Sequence, residues 1–411
     1  MHVGMITQWY DPEPGPAALP GALARGLVHR GHAVTVLTGF PNYPSGKIAD
    51  GYSQSARQVE EREGVRVVRT PLYANHDASA VRRIANYGSF AASATALGAW
   101  SLKDVDALYV NYSPITTAVP MWAAQVMSRA KVVLDVSDLW PDTMLAAGLG
   151  GGGRLHDLAS PLLHAWTNAM YSSSDSVTYI SPGVGEILEG RGVLAEKLHY
   201  IPKWTNQEVP PGTGRSMRGE LGIAEGTLVI TYAGTIGEAQ GLDSLVEAMR
   251  RVTHLDAVCL VAGSGTAEAA LRSRAEGMGN VQFLGRLPFE RMPDLLATTD
   301  LGYVSLSDHP LSPVTMPSKT QANLAAGVPL LVSAPGDLAQ VVRQHQVGFA
   351  TGPEDASGVA GLIQKAVAMS AEERRAMAMR ARTVYEQQFS LERGVSAYEL
   401  LLQRAAERKR S

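Results

Sequence analysis

Residues Leu228–Met249 read LVITYAGTIGEAQGLDSLVEAM, and this stretch decides the fold class. Its first six residues form an uninterrupted apolar and β-branched run, the pattern of a strand buried on both faces. Gly234, Gly237 and Gly241 then mark a turn where backbone can approach a ligand closely. Leu242, Leu245, Val246 and Met249 follow at i, i+3, i+4 and i+7, which is one apolar helix face. Strand, glycine turn and helix together make the repeating unit of a parallel α/β sheet.

The unit recurs in both directions along the chain. Downstream, strand-like runs fall at Val258–Val261, Val281–Leu284, Gly302–Val304 and Pro329–Val332. Upstream they fall at His2–Ile6, Ala33–Leu37, Val65–Val68, Ala107–Val110, Val132–Val136 and Val177–Ile180. Helical faces lie between them. Leu19, Leu23 and Leu27 make one, with Pro20 near its start and Gly31 at its stop; Val359, Leu362, Ile363 and Ala366 make another. Two such series predict an α/β protein of two doubly wound, parallel-sheet domains. Proline, glycine and polar residues concentrate at Ile201–Gly214, IPKWTNQEVPPGTG, as in a linker. The expected organisation is a first domain over 1–203, a linker over 204–214, a second domain over 215–385, and a C-terminal helix, 386–411, returning to the first domain. Open α/β sheets bind ligands at the C-terminal ends of their strands. The site is therefore expected in a central cleft that both sheets face.

Composition narrows the class. The chain has 411 residues, 45% hydrophobic and 18% charged, as in folded soluble proteins. A formal net charge of −3 argues against bulk electrostatic binding to nucleic acid. A single cysteine, Cys259, excludes an internal disulfide framework and a Cys-cluster metal site, and predicts a reducing, cytoplasmic setting. Met1–Gln8 has no basic flank or cleavage site and does not read as a secretory signal. Ile84–Trp100 is alanine-rich and too polar to read as a membrane span; it reads as a packed helix. Arg82 and Arg83 precede it, either as a solvated helix start or as a peripheral contact with anionic lipid at the inner membrane face.

Several loops at predicted strand ends carry chemistry. QWYDPEPGPAALPG, Gln8–Gly21, puts Gly15 before a helix, either as an anion site or as a plain strand–helix turn. It is no G-x-G-x-x-G, and no acidic residue follows the second strand at the fitting place, so a nicotinamide-dependent oxidoreductase is poorly supported. GFPNYPSGKIADGY, Gly39–Tyr52, is a long, partly aromatic loop suited to a bulky polar acceptor. SDLWPDT places Asp138 and Asp142 beside Trp140 at a strand end, where a carboxylate either caps a helix or accepts hydrogen bonds from a sugar. In the second half, Gly263 and Gly265 in VAGSGTAE, Gly285 and Arg286 in FLGRLP, and Pro317, Ser318 and Lys319 in MPSKTQANLAAGVP join the first glycine turn. Successive glycine turns with a lysine at a helix start form a phosphate-binding pattern.

In FPNYPSGKIADGY, SDLWPDT, IPKW, YAGTIGEAQGLDSLVEA, VAGSG, VQFLGRLP and MPSKTQANLAAGVP the chain resembles the family 4 glycosyltransferases of the GT-B fold, and within them the bacterial fucosamine-type and colanic-acid-type branch. The resemblance implies two Rossmann-like domains and a nucleotide-diphospho-sugar donor, of UDP or GDP type, on the second. It implies a small-molecule, natural-product or lipid-linked acceptor on the first. It also implies transfer with retention of anomeric configuration, with no metal and no cofactor beyond the donor. In the scheme that the resemblance implies, the leaving diphosphate itself can take the acceptor's proton, and the protein's main task is then to stabilise charge on that diphosphate.

Carried over by position, Asp138 and Lys319 would be the catalytic groups. Gly15, Gly234, Thr235, Gln240, Gly263, Ser264, Gly265, Arg286, Leu287, Thr315, Met316, Pro317, Ser318 and Lys319 would border the donor. Tyr10, Glu13, Asn42, Tyr43 and Trp140 would border the acceptor. The chain departs from the wider family at four places. Thr235 and Gln240 stand where an arginine and a lysine are usual, Ser137 where a histidine is frequent, and Ala322 where a glutamate grips the ribose. Two other readings compete. An epimerase or hydrolase on the same fold would draw on Asp11, Glu13, His76, Asp308 and His309, and a non-catalytic binding protein would only close on the nucleotide sugar.

Overall fold

The computed structural model describes residues 1–76, 79–143, 154–205 and 208–410. Asn206 and Gln207 of the expected linker lie outside the described residues. The chain forms two units: Met1–Pro202 together with the helix Leu391–Arg410, and Lys203–Ser390.

In the first unit the apolar runs become strands β1 (His2–Ile6), β2 (Ala33–Gly39), β4 (Val65–Thr70), β5 (Ala107–Asn111), β6 (Lys131–Val136) and β7 (Ser176–Tyr179). Two further strands complete the sheet, β3 (Gln58–Arg62) and β8 (Leu198–Tyr200). The order is β3-β4-β2-β1-β5-β6-β7-β8, and every pairing is parallel except β3 with β4. The sequence pattern does not announce β3. QVEER is charged and alternately exposed, as an edge strand should be. Glu63 (φ 49°) and Gly64 (φ 77°) make the two-residue turn that folds β3 onto β4.

In the second unit β9 (Leu228–Ala233), β10 (Ala257–Ala262), β11 (Val281–Gly285), β12 (Leu301–Ser305), β13 (Leu330–Ser333) and β14 (Gly348–Thr351) are all parallel, in the order β11-β10-β9-β12-β13-β14. Counted from β9, this is the doubly wound order 3-2-1-4-5-6. Connections run to opposite faces on either side of β9 and β12, so the loops after these two strands diverge and leave a crevice. Apolar side chains cover both faces of the sheet. Tyr232, Leu245, Met249, Leu271 and Ile363 pack on one, and Val304, Leu324, Val332, Leu338 and Phe389 on the other. Each such fully buried side chain contributes roughly 1.5–3 kcal/mol.

The Ile84–Trp100 stretch is helical. The helix Ala80–Ser93 widens into a π-turn at Ala94–Gly98 and then tightens into a 3-10 turn at Ala99–Leu102. No helix among the described residues is long and apolar enough to cross a membrane.

The helix Leu391–Arg410 packs against the helix Leu19–His29 and against β5 and β6. Its Tyr398 hydroxyl donates to Asp135 Oδ1 (2.7 Å), a buried carboxylate on β6. Thr178 donates to the same oxygen (3.0 Å), and Tyr109 donates to Oδ2 (2.6 Å). Burial beside this carboxylate pushes the Tyr109 and Tyr398 phenols far up, so both stay neutral donors. Tyr398→Phe keeps the packing and removes one donor from a buried acceptor. It should lower the unfolding free energy by about 1–3 kcal/mol in urea titrations followed by circular dichroism; an unchanged midpoint would show that the helix docks by apolar contact alone.

Candidate functional site

The glycine turns of the second unit are laced together edge to edge. Gly234 N–H donates to the Ala262 carbonyl (2.9 Å), Gly263 N–H to Gly285 (2.7 Å) and Ile236 N–H to Ser264 (3.0 Å). Gly263 sits at φ +144°, and a Cβ there would run into the Gly234 carbonyl. Glycine is therefore required by the close approach of two backbones.

Lys319 lies in the first turn of the helix Ser318–Ala325, whose N-terminus begins at Pro317 and has no side-chain cap. Its ammonium donates to the Tyr232 hydroxyl (2.9 Å) and stands 4.1 Å from the centre of that ring. The Tyr232 hydroxyl in turn donates a hydrogen bond to the Thr235 carbonyl. Burial holds the Tyr232 phenol well above its ordinary pKa, so it stays neutral. The ammonium is 3.3 Å from where a Cβ of Gly234 would lie, so a side chain there would crowd it. Among the described residues no carboxylate pairs with Lys319. Burial pushes its pKa down to about 8, so it is still charged at pH 7. An uncompensated ammonium and an uncapped helix start add positive potential beside the crevice, the arrangement that binds phosphate.

The other residues expected near the donor are placed unequally. Ser264 and Ser318 are exposed, and Arg286 is exposed with no hydrogen bond or ion pair among the described residues. Gln240 turns inward, and its Oε1 accepts from Gly237 N–H (3.1 Å). The Thr315 hydroxyl donates to Leu311 within its own turn (2.7 Å), Met316 belongs to the core, and Leu287 packs on the cluster of Met217, Ile223 and Leu295. A cavity of about 690 Å³ borders the loop after β9, lined by Ile236, Gly237, Gly241, Ala267 and Glu354; Lys319 does not line it.

In the first unit, buried charges fix the loops after β1 and β2. Glu13 is 3% exposed and accepts from Tyr10 N–H (2.9 Å), Asn42 N–H (2.7 Å) and Tyr43 N–H (2.8 Å). Arg69, wholly buried, donates to Glu60 (2.8 Å), to the Gly39 carbonyl (3.1 Å) and to the Asp11 carbonyl, with the Tyr52 ring 4.9 Å away. Expected as acceptor contacts, Glu13 and Tyr10 are internal: the Glu13 oxygens are occupied by amides, and the Tyr10 ring is in the core. Gly15 takes φ +68° and heads the turn Gly15–Ala18.

Aromatic side chains gather where these loops end. Trp9 lies 6.3 Å from Tyr43, 6.1 Å from His76 and 6.2 Å from Tyr87, and Tyr87 lies 5.8 Å from Trp140. Asp138, two residues before Trp140, is open to solvent yet enclosed by protein on most sides. This crowding raises its carboxyl above the ordinary range, and nearby Asp135 adds to the rise. Asp142 is paired with Arg191. Trp9, His76 and Tyr87 were not in the sequence-based acceptor set, and Tyr232 was not in the donor set. A tyrosine inside an apolar strand looks like core until its hydroxyl is seen to hold a lysine. Among the hydrolase candidates, Asp11 is paired with Arg25 and His309 accepts from Leu311 N–H in its own turn (3.2 Å). No group of three or more His, Cys, Asp or Glu side chains among the described residues stands close enough to share a metal ion.

Residues 15–204 match the glycosyl transferase 4-like domain, and residues 215–384 match the glycosyl transferases group 1. The chain is 29% identical over 341 residues to the putative colanic acid biosynthesis glycosyl transferase WcaI of Escherichia coli, covering 79% of this chain and 81% of that protein. Its fold is similar to the sucrose-phosphate synthase of Thermosynechococcus elongatus (TM-score 0.68, 18% identity, 98% of both chains). It is also similar to Anabaena HepE in complex with UDP and glucose (TM-score 0.66, 16% identity, 97% of this chain and 98% of that one).

The lowered pKa of Lys319 has a signed consequence. Between about pH 8 and the ordinary lysine value near 10.4, the unfolded chain binds more protons than the folded one, so stability rises with pH in that window. Lys319→Met abolishes this contribution. In urea unfolding, the wild type should gain on Lys319→Met as the pH is raised from about 7.5 to about 9.5; parallel curves would mean that Lys319 titrates as a free lysine.

Proposed function

Because the chain belongs to the family 4 glycosyltransferases of the GT-B fold, we propose that it moves a sugar from a UDP- or GDP-linked donor to a hydroxyl of a small-molecule, natural-product or lipid-linked acceptor, with retention and without a metal ion. The observation that carries this reading is Lys319, an ammonium with no carboxylate partner among the described residues, at the start of a helix beside glycine-lined backbone. The donor diphosphate supplies the missing anion. As the bond from the anomeric carbon to the diphosphate oxygen breaks, negative charge grows on the leaving group, and Lys319 and the helix N–H groups stabilise it. The acceptor oxygen bonds to the same face of that carbon, and its proton passes to a diphosphate oxygen. Asp138 accepts a hydrogen bond from a hydroxyl of the transferred sugar or of the acceptor. Tyr232 holds Lys319 in place through the contact between its hydroxyl and the ammonium.

The relatives are consistent with this reading. One is named for polysaccharide assembly, and one fold neighbour holds UDP and glucose. Ala322 lies on the Lys319 helix and offers no carboxylate to a ribose.

Calorimetry with UDP and GDP should show binding of at least one, and the product of transfer should keep the donor's anomeric configuration by NMR. Lys319→Met should lower kcat by about 10²–10³-fold while the protein stays folded. Failure of both nucleotides to bind would remove the reading.

A further inference from the structure

The aromatic group of the first unit has polar atoms with no hydrogen-bond partner among the described residues. Among the described residues Trp9 Nε1 and His76 Nε2 lie within it unpaired, as do Gln8 Oε1 and Asn42 Oδ1 in the adjoining loops. Gln8 and Asn42 are fully buried, so their unpaired oxygens are a standing cost of the loops that carry the aromatic group. Apolar ring faces beside unpaired donors and acceptors suit a ligand that is itself apolar on its faces and hydroxylated at its edges, which describes a pyranose. The Tyr43 ring is 36% exposed, so the group is open to solvent on that side.

Arg83 adds a charge. It lies one helical turn before Tyr87, half-buried, with its Nε unpaired and no carboxylate partner among the described residues. Burial, and after it the Arg83 charge, lower the His76 pKa, so the imidazole is neutral at pH 7, and Arg83 acts on Tyr87 as well. Asp138 also acts on Tyr87, in the opposite sense. Tyr87 thus has a cation and a carboxyl among its neighbours, which gives any ligand laid across it a direction.

Resting on the glycosyltransferase reading above, we infer that the acceptor is a phosphate-bearing sugar, its ring laid on Trp9, Tyr43, His76 and Tyr87 and its phosphate on the Arg83 guanidinium. Arginine suits this task because its planar fork meets two phosphate oxygens at once. The phosphate is drawn away from Asp138, so a hydroxyl at the far side of the ring faces that carboxyl.

The test uses the full-length protein, hexose 1- and 6-phosphates, the matching neutral methyl glycosides, and a short-chain alkyl glycosyl diphosphate, with tryptophan fluorescence as the readout. The phosphorylated sugars should bind about tenfold or more tightly than their neutral counterparts. Arg83→Gln should bring that preference within about twofold while leaving neutral-glycoside binding unchanged, and Arg83→Lys should restore part of it. Free sugar phosphate binding as well as the alkyl diphosphate identifies a soluble acceptor; binding of the alkyl compound alone identifies a lipid-linked one. Absence of any preference for phosphate, or a preference that survives in Arg83→Gln, overturns the inference. UDP and GDP titrations on the same samples separate the two failures. Intact nucleotide binding confines the failure to the acceptor, and lost nucleotide binding places it with the glycosyltransferase reading itself.

Discussion

A positive charge held out of water, with no negative partner among the described residues, is the constraint around which the second unit's loops are arranged. Lys319 is kept by a phenol and a ring face rather than by a carboxylate. A carboxylate there would neutralise the ammonium and compete with any anionic ligand. A neutral hydroxyl holds the ammonium in position and leaves its charge unmet. The laced turns after β9, β10 and β11 hold one another in place, and the missing side chain at Gly234 leaves room for the ammonium beside them.

The first unit meets the opposite problem. Its long loop after β2 has no secondary structure of its own, and two buried charges keep it in one conformation. Glu13 collects three amides from two loops, and Arg69 collects two carbonyls and a carboxylate. Burying a charge is costly unless its hydrogen bonds are met. The amides offset part of the burial that raises the Glu13 carboxyl, without cancelling it. The result is a stiff base that presents Trp9 and Tyr43 together.

Parallel strands buried on both faces write themselves as unbroken apolar runs, and the two sheets were legible for that reason. Short or charged edge strands such as β3 and β8 carry no such signature, because one face or one edge meets water. The helix start at Pro317–Lys319 was legible as a position, from a proline followed by polar residues. Its partner was not: Tyr232 is 87 residues upstream in an apolar run, and only the parallel pairing of β9 with β12 brings the two together. Glu13 was misread for a related reason. Its neighbours in sequence do not reveal that Asn42 and Tyr43, 29 and 30 residues on, will turn their amides toward it. Spacing reports periodic elements well and long-range hydrogen bonds poorly.

The route of the chain has a consequence for its synthesis. The first sheet is laid down early, but Asp135 lacks one of its hydroxyl donors until Leu391–Arg410 has been translated, after the whole of the second unit. While the ribosome is still making Lys203–Ser390, the β5–β6 face that this helix covers stands bare. The nascent protein therefore completes its first-begun half last.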